Sequence, residues 1–475
     1  MSQYGASVAC TVTPEQPMVI PANGGAFAFR MLAASNCSWT ASQANMPPWI
    51  TLNSQGTQTG NGVLRFTASS TSSSRTTTFP IGAATATITQ KDTSGLRFVP
   101  IAPCRAVDTR DSTRLEAGTQ RMFNLAALGR CPIAGNAKAV SINVTAIPAD
   151  KLGFLTLWAS GSQPFISTLN ATNGGVVSNA AIVPTDGGSS ISAFVTDAAH
   201  LVIDVNGYFV DGSDPRALSF YTLAPCRAVD TRDSQGKTGL FGPPSLTAAT
   251  GSRRIPMLSS SCGIPSSAKA YSLNVTVVPK SALGYLTLWP SDQPQPFVST
   301  LNAPDGRLLA NAAIVPAAAD GSVSVYAFLP PQGSTDVIVD INGYFAPPGD
   351  VGALSLYLVA PYRLSDSRRY SPVFFFPGFN NRLLLADAND GTAAMVANVT
   401  IVPTGPVGYL SIWAANQAPP TVSTLNSPDG RIVANAAIIP LAFGYGGLYY
   451  FNASALLDAS ATADLVIDVV GFFQP

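Results

Sequence analysis

One block of motifs occurs three times in this chain, always in the same order. It opens with Cys104-Arg-Ala-Val-Asp-Thr-Arg110, which returns at 226–232 and, altered, at 362–368. Four more motifs follow in each copy, and in the first copy they are Asn143-Val-Thr145, Ser167-Thr-Leu-Asn170, Asn179-Ala-Ala-Ile-Val-Pro184 and Asp204-Val-Asn-Gly-Tyr-Phe209. Each copy is as long as a small domain, and repetition on this scale predicts an array of homologous modules.

Short apolar runs with the character of β-strands fill each copy. Ala139–Ile147 and Gly153–Trp158 are rich in β-branched and aromatic residues and are bounded by Gly, Pro, Asn and Asp. The hairpin signals Asn173-Gly174, Asp305-Gly306 and Asp429-Gly430 recur at one repeat position. We therefore predict three antiparallel β-sandwiches or barrels, at 97–210, 219–346 and 355–475, after a distinct leader at 1–92. Short Pro-containing linkers are expected to hold the repeats in a defined orientation.

The six cysteines fall two by two into the leader and the first two repeats. The third repeat has lost both members together, because Tyr362 stands at the position of Cys104 and nothing replaces Cys131. Paired loss is what a disulfide bond predicts, and six unrelated buried thiols are the alternative. The predicted pairs are Cys10 with Cys37, Cys104 with Cys131, and Cys226 with Cys262. Disulfides indicate an oxidising compartment.

The leader contains Cys37-Ser-Trp-Thr-Ala-Ser42, Pro48-Trp-Ile-Thr51, Gly60–Phe66 and a closing Ala86–Gln90. These motifs resemble the BACON domain of bacterial secreted proteins, a resemblance that implies an immunoglobulin-like sandwich and a carbohydrate-binding or spacer role. The repeats resemble tandem modules of secreted bacterial surface proteins that share Pro-Cys-Arg, Asp-Thr-Arg, Asn-Val-Thr and Gly-Tyr-Phe motifs. With the leader included, the expected fold class is all-β, with four tandem β-sandwich-like domains.

Charged residues make up only 11% of the chain, and 26 basic residues balance 26 acidic ones. This balance gives no basic surface for nucleic acid. No apolar stretch approaches the roughly 20 residues of a membrane-spanning helix. The first residues lack both a basic and an apolar signal region, so we expect a mature chain after signal removal, at an extracellular or cell-surface location.

Each repeat carries four charged residues at fixed positions, and one of them, Asp204 in the first repeat, lies inside an apolar strand. A catalytic carboxylate pair is one interpretation. We favour a structural network in which arginines hold the aspartates, because an enzyme seldom needs three copies of its site. Replacing Arg110 with Met is then expected to unfold the first repeat. The predicted network residues are Arg105, Asp108, Arg110, Asp204, Arg227, Asp230, Arg232, Asp340, Arg363, Asp366, Arg368 and Asp468.

Three further residue types have competing interpretations. Trp158, Trp289 and Trp413 recur in one frame, and we favour core positions over sugar-stacking platforms. Asn143-Val-Thr145 and its counterparts have the form of glycosylation sites, but a hydrogen-bonding role for Asn inside a strand is favoured. His200 is the only histidine, which argues against a histidine-dependent triad or zinc site. We expect no metal and no cofactor.

Repeat 3 departs from the pattern by gaining aromatic segments at 373–379 and 444–457. These segments either compensate for the lost disulfide by packing or form a contact surface for a partner. Residues 1–8 are a candidate for the other half of a head-to-tail contact. The candidate contact residues in repeat 3 are Phe374, Phe375, Phe376, Phe379, Tyr449 and Tyr450.

Taken together, these patterns favour a non-enzymatic, extracellular structural or adhesive protein of the bacterial surface, in one version a self-assembling filament subunit. The alternative is a secreted carbohydrate-binding protein. The expected partners are a second copy of the chain or a cell-surface molecule, with a glycan as the ligand of the alternative.

Overall fold

A computed structural model of the chain describes residues 10–14, 18–53, 56–92, 94–212, 214–369, 374–377, 380–386, 388, 391–444 and 448–475. Antiparallel β-sheets dominate these residues, and the short helical turns are all 3-10 turns of three residues. The all-β prediction is confirmed. None of the helices in the described ranges has the length and apolar character of a membrane span.

The leader and the three repeats each contribute eight or nine strands. The leader strands are β1 (Val12–Pro14), β2 (Met18–Ile20), β3 (Gly25–Ala33), β4 (Ser38–Ala41), β5 (Ile50–Leu52), β6 (Gly56–Thr59), β7 (Gly62–Ala68), β8 (Arg75–Ile81) and β9 (Ala84–Gln90). The strands of repeat 1 are β10 (Leu96–Asp108), β11 (Thr119–Asn124), β12 (Ala139–Pro148), β13 (Leu152–Trp158), β14 (Leu169–Ala171), β15 (Val177–Pro184), β16 (Ser190–Val195) and β17 (Ala199–Asp211).

The strands of repeat 2 are β18 (Ser219–Asp230), β19 (Leu246–Thr247), β20 (Arg253–Ile255), β21 (Ala270–Pro279), β22 (Leu283–Pro290), β23 (Leu301–Ala303), β24 (Leu309–Pro316), β25 (Val323–Phe328) and β26 (Ser334–Ala346). The strands of repeat 3 are β27 (Ser355–Asp366), β28 (Asn381–Ala386), β29 (Ala394–Pro403), β30 (Val407–Ala414), β31 (Leu425–Ser427), β32 (Val433–Pro440), β33 (Ala442–Phe443), β34 (Tyr449–Leu457) and β35 (Ala463–Gln474). The 3-10 turns are Gln43–Asn45, Thr109–Asp111, Gly239–Phe241, Met257–Ser259 and Ser367–Arg369.

Each repeat is a sandwich of two antiparallel sheets with one topology. In repeat 1 the inner sheet has the order β15-β12-β17-β10 and the outer sheet the order β11-β16-β13-β14. Repeats 2 and 3 have the same two orders in their own strands. The predicted turn pairs precede β15, β24 and β32, and Gly174, Gly306 and Gly430 each have a positive φ. At Gly174 a side chain would also collide with the backbone oxygen of Asp150.

The three sandwiches form a closed ring. Phe98 of repeat 1 exchanges two backbone hydrogen bonds with Leu218, directly before the first strand of repeat 2, and Phe220 of repeat 2 exchanges two with Leu354, directly before the first strand of repeat 3. The first strand of repeat 1, β10, then pairs with the first strand of repeat 3, β27. Each repeat therefore contacts both others, as the subunits of a threefold trimer do.

A shared hydrophobic core lies where the three inner sheets meet. Its largest members come from all three repeats, with ring centroids 4.7 Å apart for Phe98 and Phe345 and 4.4 Å apart for Phe220 and Phe473. Each repeat also has its own core between its two sheets. The relative orientation of the repeats is thus fixed by packing at the centre, whereas the sequence led us to expect that the linkers would fix it.

The inner sheets are consequently buried on both faces. In β12, Ile142 and Val144 belong to the core of repeat 1. The alternate residues Asn143 and Thr145 are also buried, but they point to the opposite face because side chains alternate along a strand. A buried polar side chain requires a hydrogen-bonding partner, so this second face identifies where the recurrent polar motifs act.

The structure joins the cysteines in the three pairs that the sequence indicates: Cys10–Cys37, Cys104–Cys131 and Cys226–Cys262. In repeat 3, where no disulfide exists, Phe375 is completely buried and forms a backbone bridge with Ala463. The equivalent bridge in repeat 1 joins Leu115 to Ala199. A larger aromatic core residue therefore takes the place of an aliphatic one in the repeat that lacks the crosslink.

The leader contacts the ring through side-chain hydrogen bonds as well as through the covalent link between them. Lys91 Nζ donates to Gln474 Oε1 at 2.5 Å, and Arg65 Nη1 donates to the carbonyl oxygen of Gly349 at 2.7 Å. Trp39 fills the leader core, and Arg75 lies over the ring of Trp49. The leader thus packs against the end of repeat 3 and against the linker that precedes it.

Candidate functional site

The recurrent charged residues form the same network in each repeat. In repeat 1, Arg105 donates from Nε and Nη2 to the two carboxylate oxygens of Asp204, at 2.8 and 3.1 Å. Its Nη1 lies 3.4 Å from Asp108, which also accepts from Nε and Nη2 of Arg110. Repeats 2 and 3 reproduce these contacts. The structure therefore brings all twelve predicted network residues together, four in each repeat.

The two ends of this network differ in environment. Asp204 is only 4% exposed, whereas the Arg110 side chain is 47% exposed. Hydrogen bonds from Arg110 hold the pKa of Asp108 below its usual value. Burial raises the pKa of Asp204, and the hydrogen bonds from Arg105 oppose that rise. The expectation that Arg110→Met unfolds repeat 1 stays a prediction, but the exposure of Arg110 favours a larger effect at Arg105, which holds the buried Asp204.

The buried aspartates also reach across to the next repeat. The backbone N–H of Ser299 in repeat 2 donates to Asp204 in repeat 1 at 2.8 Å, and the N–H of Ser167 in repeat 1 donates to Asp468 in repeat 3 at 3.0 Å. Ser423 is the equivalent neighbour of Asp340 and opposes the rise that burial causes in the pKa of that carboxyl group. The first residue of the Ser-Thr-Leu-Asn motif thus connects each repeat to the charge network of its neighbour.

Asparagine pairs complete each interface between repeats. At the interface of repeats 1 and 2, Asn143 Nδ2 donates to the carbonyl oxygen of Ser299 at 2.7 Å, and Asn311 Nδ2 donates to Asn143 Oδ1 at 2.8 Å. Asn311 Oδ1 in turn accepts from the backbone N–H of Ala180 at 3.0 Å. The other two interfaces repeat this pattern in cyclic order.

These contacts explain why five motifs recur together. The Asn-Val-Thr, Ser-Thr-Leu-Asn and Asn-Ala-Ala-Ile motifs supply hydrogen-bonding partners across the interfaces, and the Arg and Asp motifs hold the buried carboxylate. Asn143, Asn274 and Asn398 have hydrogen-bonding roles inside strands, as their positions led us to expect. The sequence signal that points to this role is the alternation of Ser, Asn and Thr with Val and Ile in strands that are otherwise apolar.

The three interfaces are not identical. Asn206 donates to the carbonyl oxygen of Ile314, and Asn342 donates to that of Ile438, but Val470 occupies the third equivalent position. A mainly apolar cavity of about 120 Å³, lined by residues of all three repeats, extends to Val470. The third interface therefore has one fewer hydrogen bond of this kind.

The aromatic residues divide into buried and exposed groups. Trp158, Trp289 and Trp413 are buried, as favoured from the sequence, so their faces are not open to a sugar ring. Phe165 and Phe297, which the sequence analysis did not single out, are 73% and 76% exposed. Both precede a Ser-Thr-Leu-Asn motif by two residues. This shared offset is the sequence signal that could have identified them.

The candidate contact residues of repeat 3 require correction. Phe375 and Tyr449 are buried in the core of repeat 3 and cannot contact a partner, because they fill space between its two sheets. Phe374 packs partly against that core, Tyr450 is half-buried, and Phe376 is exposed. Phe379 and residues 1–8 lie outside the described residues.

A different apolar surface occupies the outer sheet of repeat 3. Leu383 and Leu385 of β28 are exposed, Leu383 by 64%. Register places Leu383 at the position of Met122 in repeat 1 and Arg254 in repeat 2. The cross-strand pair Tyr409 and Leu456 of the same sheet is exposed as well.

Over the part of the chain that the structure describes, no group of three or more His, Cys, Asp or Glu side chains is placed to hold a metal ion. Comparison with protein-family models and with curated proteins gives no match for this chain. The resemblances of the leader and of the repeats therefore stay predictions, and the functional argument rests on the geometry alone.

Proposed function

We propose that this chain is a non-enzymatic extracellular scaffold with a structural or adhesive role, in which three repeats form one closed, trimer-like unit. The observation that carries the proposal is that the recurrent polar residues are engaged with one another or with the neighbouring repeat. A catalytic pair of carboxylates would need one group held for proton transfer to a substrate. Here both oxygens of each buried aspartate accept hydrogen bonds from an arginine.

The disulfides and the low charge support an extracellular setting. The leader is a BACON-like domain in this proposal and serves as a spacer or binding module at one end of the scaffold. A closed ring of sandwiches with a shared core leaves little freedom between repeats, which suits a protein that transmits force or presents surfaces at fixed positions.

Self-association through repeat 3 is the specific form that one observation favours. The outward face of β28 carries Leu383 and Leu385 where repeat 1 has Met122 and Asn124. An edge strand with apolar side chains is a site for pairing with another chain, and β28 is at the end of its sheet order. Contact between this surface and an unlike surface of a second copy produces an open polymer unless the rotation closes it.

The test replaces both leucines in the full chain, Leu383→Gln with Leu385→Gln, and compares assembly by sedimentation velocity and negative-stain electron microscopy. The expected result is assembly of the parent chain and its loss in the double variant. Met122→Gln, at the equivalent register position of repeat 1, is the matched control and should assemble normally. A parent chain that stays monomeric at all concentrations, or a double variant that assembles like the parent, would contradict self-association through this surface.

The scaffold proposal itself has a separate test. Asp204→Asn keeps the shape of the buried carboxylate but removes its charge. If the carboxylate is structural, this substitution should change the stability of the ring. Any change in partner binding should then follow from the change in stability. Any hydrolytic activity on extracellular polysaccharides or peptides that the parent shows and Asp204→Asn selectively lacks would overturn the proposal.

A further inference from the structure

The two most exposed large aromatic side chains of the described chain occupy equivalent positions. Phe165 of repeat 1 and Phe297 of repeat 2 each follow a proline and precede a buried residue, Ile166 or Val298. The residue after that, Ser167 or Ser299, donates a backbone hydrogen bond to the buried aspartate of the neighbouring repeat. Each ring is therefore presented to solvent from a loop whose base is fixed, which reduces the entropy lost when a ligand binds.

An arginine of the charge network lies beside each ring. The guanidinium carbon of Arg363 is 5.2 Å from the centroid of Phe165, and that of Arg105 is 5.2 Å from the centroid of Phe297. Both distances are within the range of cation–π attraction. The third equivalent position, in repeat 3, carries Thr421 and has no ring. Two of the three interfaces thus present an aromatic surface next to charged hydrogen-bonding groups.

The two aromatic positions differ in charge. At Phe165 a second guanidinium, that of Arg369, lies 5.4 Å from the ring centroid. Arg369 is well exposed, and its Nε is 3.8 Å from Asp366, which is beyond hydrogen-bonding distance. In repeat 1 the residue equivalent to Arg369 is Asp111. The Phe165 position therefore has an excess of positive charge that the Phe297 position lacks.

We propose that Phe165, Arg363 and Arg369 form a binding site for an acidic sugar, such as a hexuronate unit of an extracellular polysaccharide. The C–H face of a pyranose ring can lie on the exposed phenyl ring, and its carboxylate can accept hydrogen bonds from the guanidinium of Arg369. Arg363 continues to hold Asp468. It also helps to position the sugar and adds positive electrostatic potential at the site. The Phe297 site, with Asp111 in place of the second arginine, disfavours the same anion.

A sugar fits these features better than a peptide does. The site is a single exposed ring beside two guanidinium groups, one of which, that of Arg369, is only loosely paired. A peptide would need a longer run of contacts, either a strand edge or a groove with pockets. This inference uses residues of the interface between repeats 3 and 1 and does not involve the outer sheet of repeat 3.

The experiment measures binding of the full chain to three uronate oligomers, of galacturonate, glucuronate and mannuronate, by isothermal titration calorimetry at low ionic strength. A neutral galactose oligomer and polyglutamate are the comparison ligands. We expect binding of at least one uronate oligomer, with affinity reduced on the order of tenfold or more by Phe165→Ala and by Arg369→Asp. Phe297→Ala should leave the affinity unchanged.

The same chain offers a gain-of-function control. Asp111→Arg replaces the carboxylate that lies 4.0 Å from Arg130 by a cation equivalent to Arg369, and we expect it to increase the number of uronate sites from one to two. All of these substitutions are at exposed side chains, and a far-ultraviolet circular dichroism spectrum identical to that of the parent verifies folding.

Four outcomes would overturn the inference. They are no uronate binding at millimolar ligand, binding that Phe165→Ala does not change, equal binding of polyglutamate, and preference for the neutral oligomer. None of them bears on whether Leu383 and Leu385 mediate assembly, so failure of the sugar site and failure of the scaffold proposal are distinguishable.

Discussion

Removing the arginine that holds the buried aspartate tests the central structural argument. Arg105→Met keeps most of the side-chain volume but removes the guanidinium. Of the hydrogen-bond donors to Asp204 described above, only the backbone N–H of Ser299 remains. Breaking a buried ion pair by deleting one partner costs about 3 to 5 kcal/mol. We expect a loss of this size in the free energy of unfolding of the ring.

Arg110→Met is the matched control in the same network. The Arg110 side chain is half exposed, and Asp108 keeps the backbone N–H of residue 110 and the guanidinium of Arg105 after the substitution. Exposed ion pairs contribute about 0 to 1 kcal/mol. The comparison that matters is the ratio of the two losses in unfolding free energy. It measures the difference between the buried and exposed ends of the network.

The assay is urea unfolding at pH 7 followed by the fluorescence of the buried tryptophans, with the midpoint and slope compared between variants. Arg105→Met with Asp204→Asn should recover part of the stability, because the neutral amide oxygen still accepts from Ser299 and no charge is left unpaired. Equal shifts for Arg105→Met and Arg110→Met, or a shift below about 1 kcal/mol for Arg105→Met, would refute the reasoning.

The same variant has a defined pH dependence. Burial raises the pKa of Asp204 above 3.8, its value in an unfolded chain, and Arg105→Met removes the hydrogen bonds that oppose this rise. A folded-state pKa above the unfolded value means that the folded state binds the proton more tightly. The destabilisation of Arg105→Met should therefore be full above the folded-state pKa and should diminish as the pH falls through it toward 3.8.

Three further predictions concern the cores and interfaces, each measured by thermal or urea unfolding. Replacing Cys104 and Cys131 together by Ser removes a crosslink with a sequence separation of 27 residues, and the chain-entropy relation gives a loss of about 3.5 kcal/mol; an unchanged midpoint would contradict a structural bond. Phe375→Ala should cost about 3 to 5 kcal/mol, whereas exposed Phe376→Ala should cost less than about 0.5 kcal/mol. Asn311→Ala deletes two hydrogen bonds to repeat 1 and one within repeat 2, and it leaves the Asn143 oxygen without that donor. A loss of about 2 to 3 kcal/mol is therefore expected, and a neutral result would mean that the asparagine pairs do not stabilise the ring.

Several features followed from the sequence because they depend on local patterns. Period-two runs and turn pairs at fixed positions indicated antiparallel sandwiches, since side-chain alternation and hairpin geometry are properties of a few adjacent residues. The disulfide pairs followed from the presence of two cysteines in each of three modules and from the joint loss of both in repeat 3. The pairing of Arg with Asp followed from the cost of burying a single carboxylate such as Asp204.

The tertiary structure decided what the alternating polar residues face. Asn143 in a strand is compatible with solvent, with a glycan or with a neighbouring repeat, and only the closure of the ring places it against Ser299 and Asn311. Burial of Phe375 and exposure of Phe165 were likewise undetermined, because a phenyl ring has the same local propensity in both settings. Sequence by itself determined the modules and their internal bonds, whereas the contacts between modules depend on which surfaces meet, and that is a property of the whole chain.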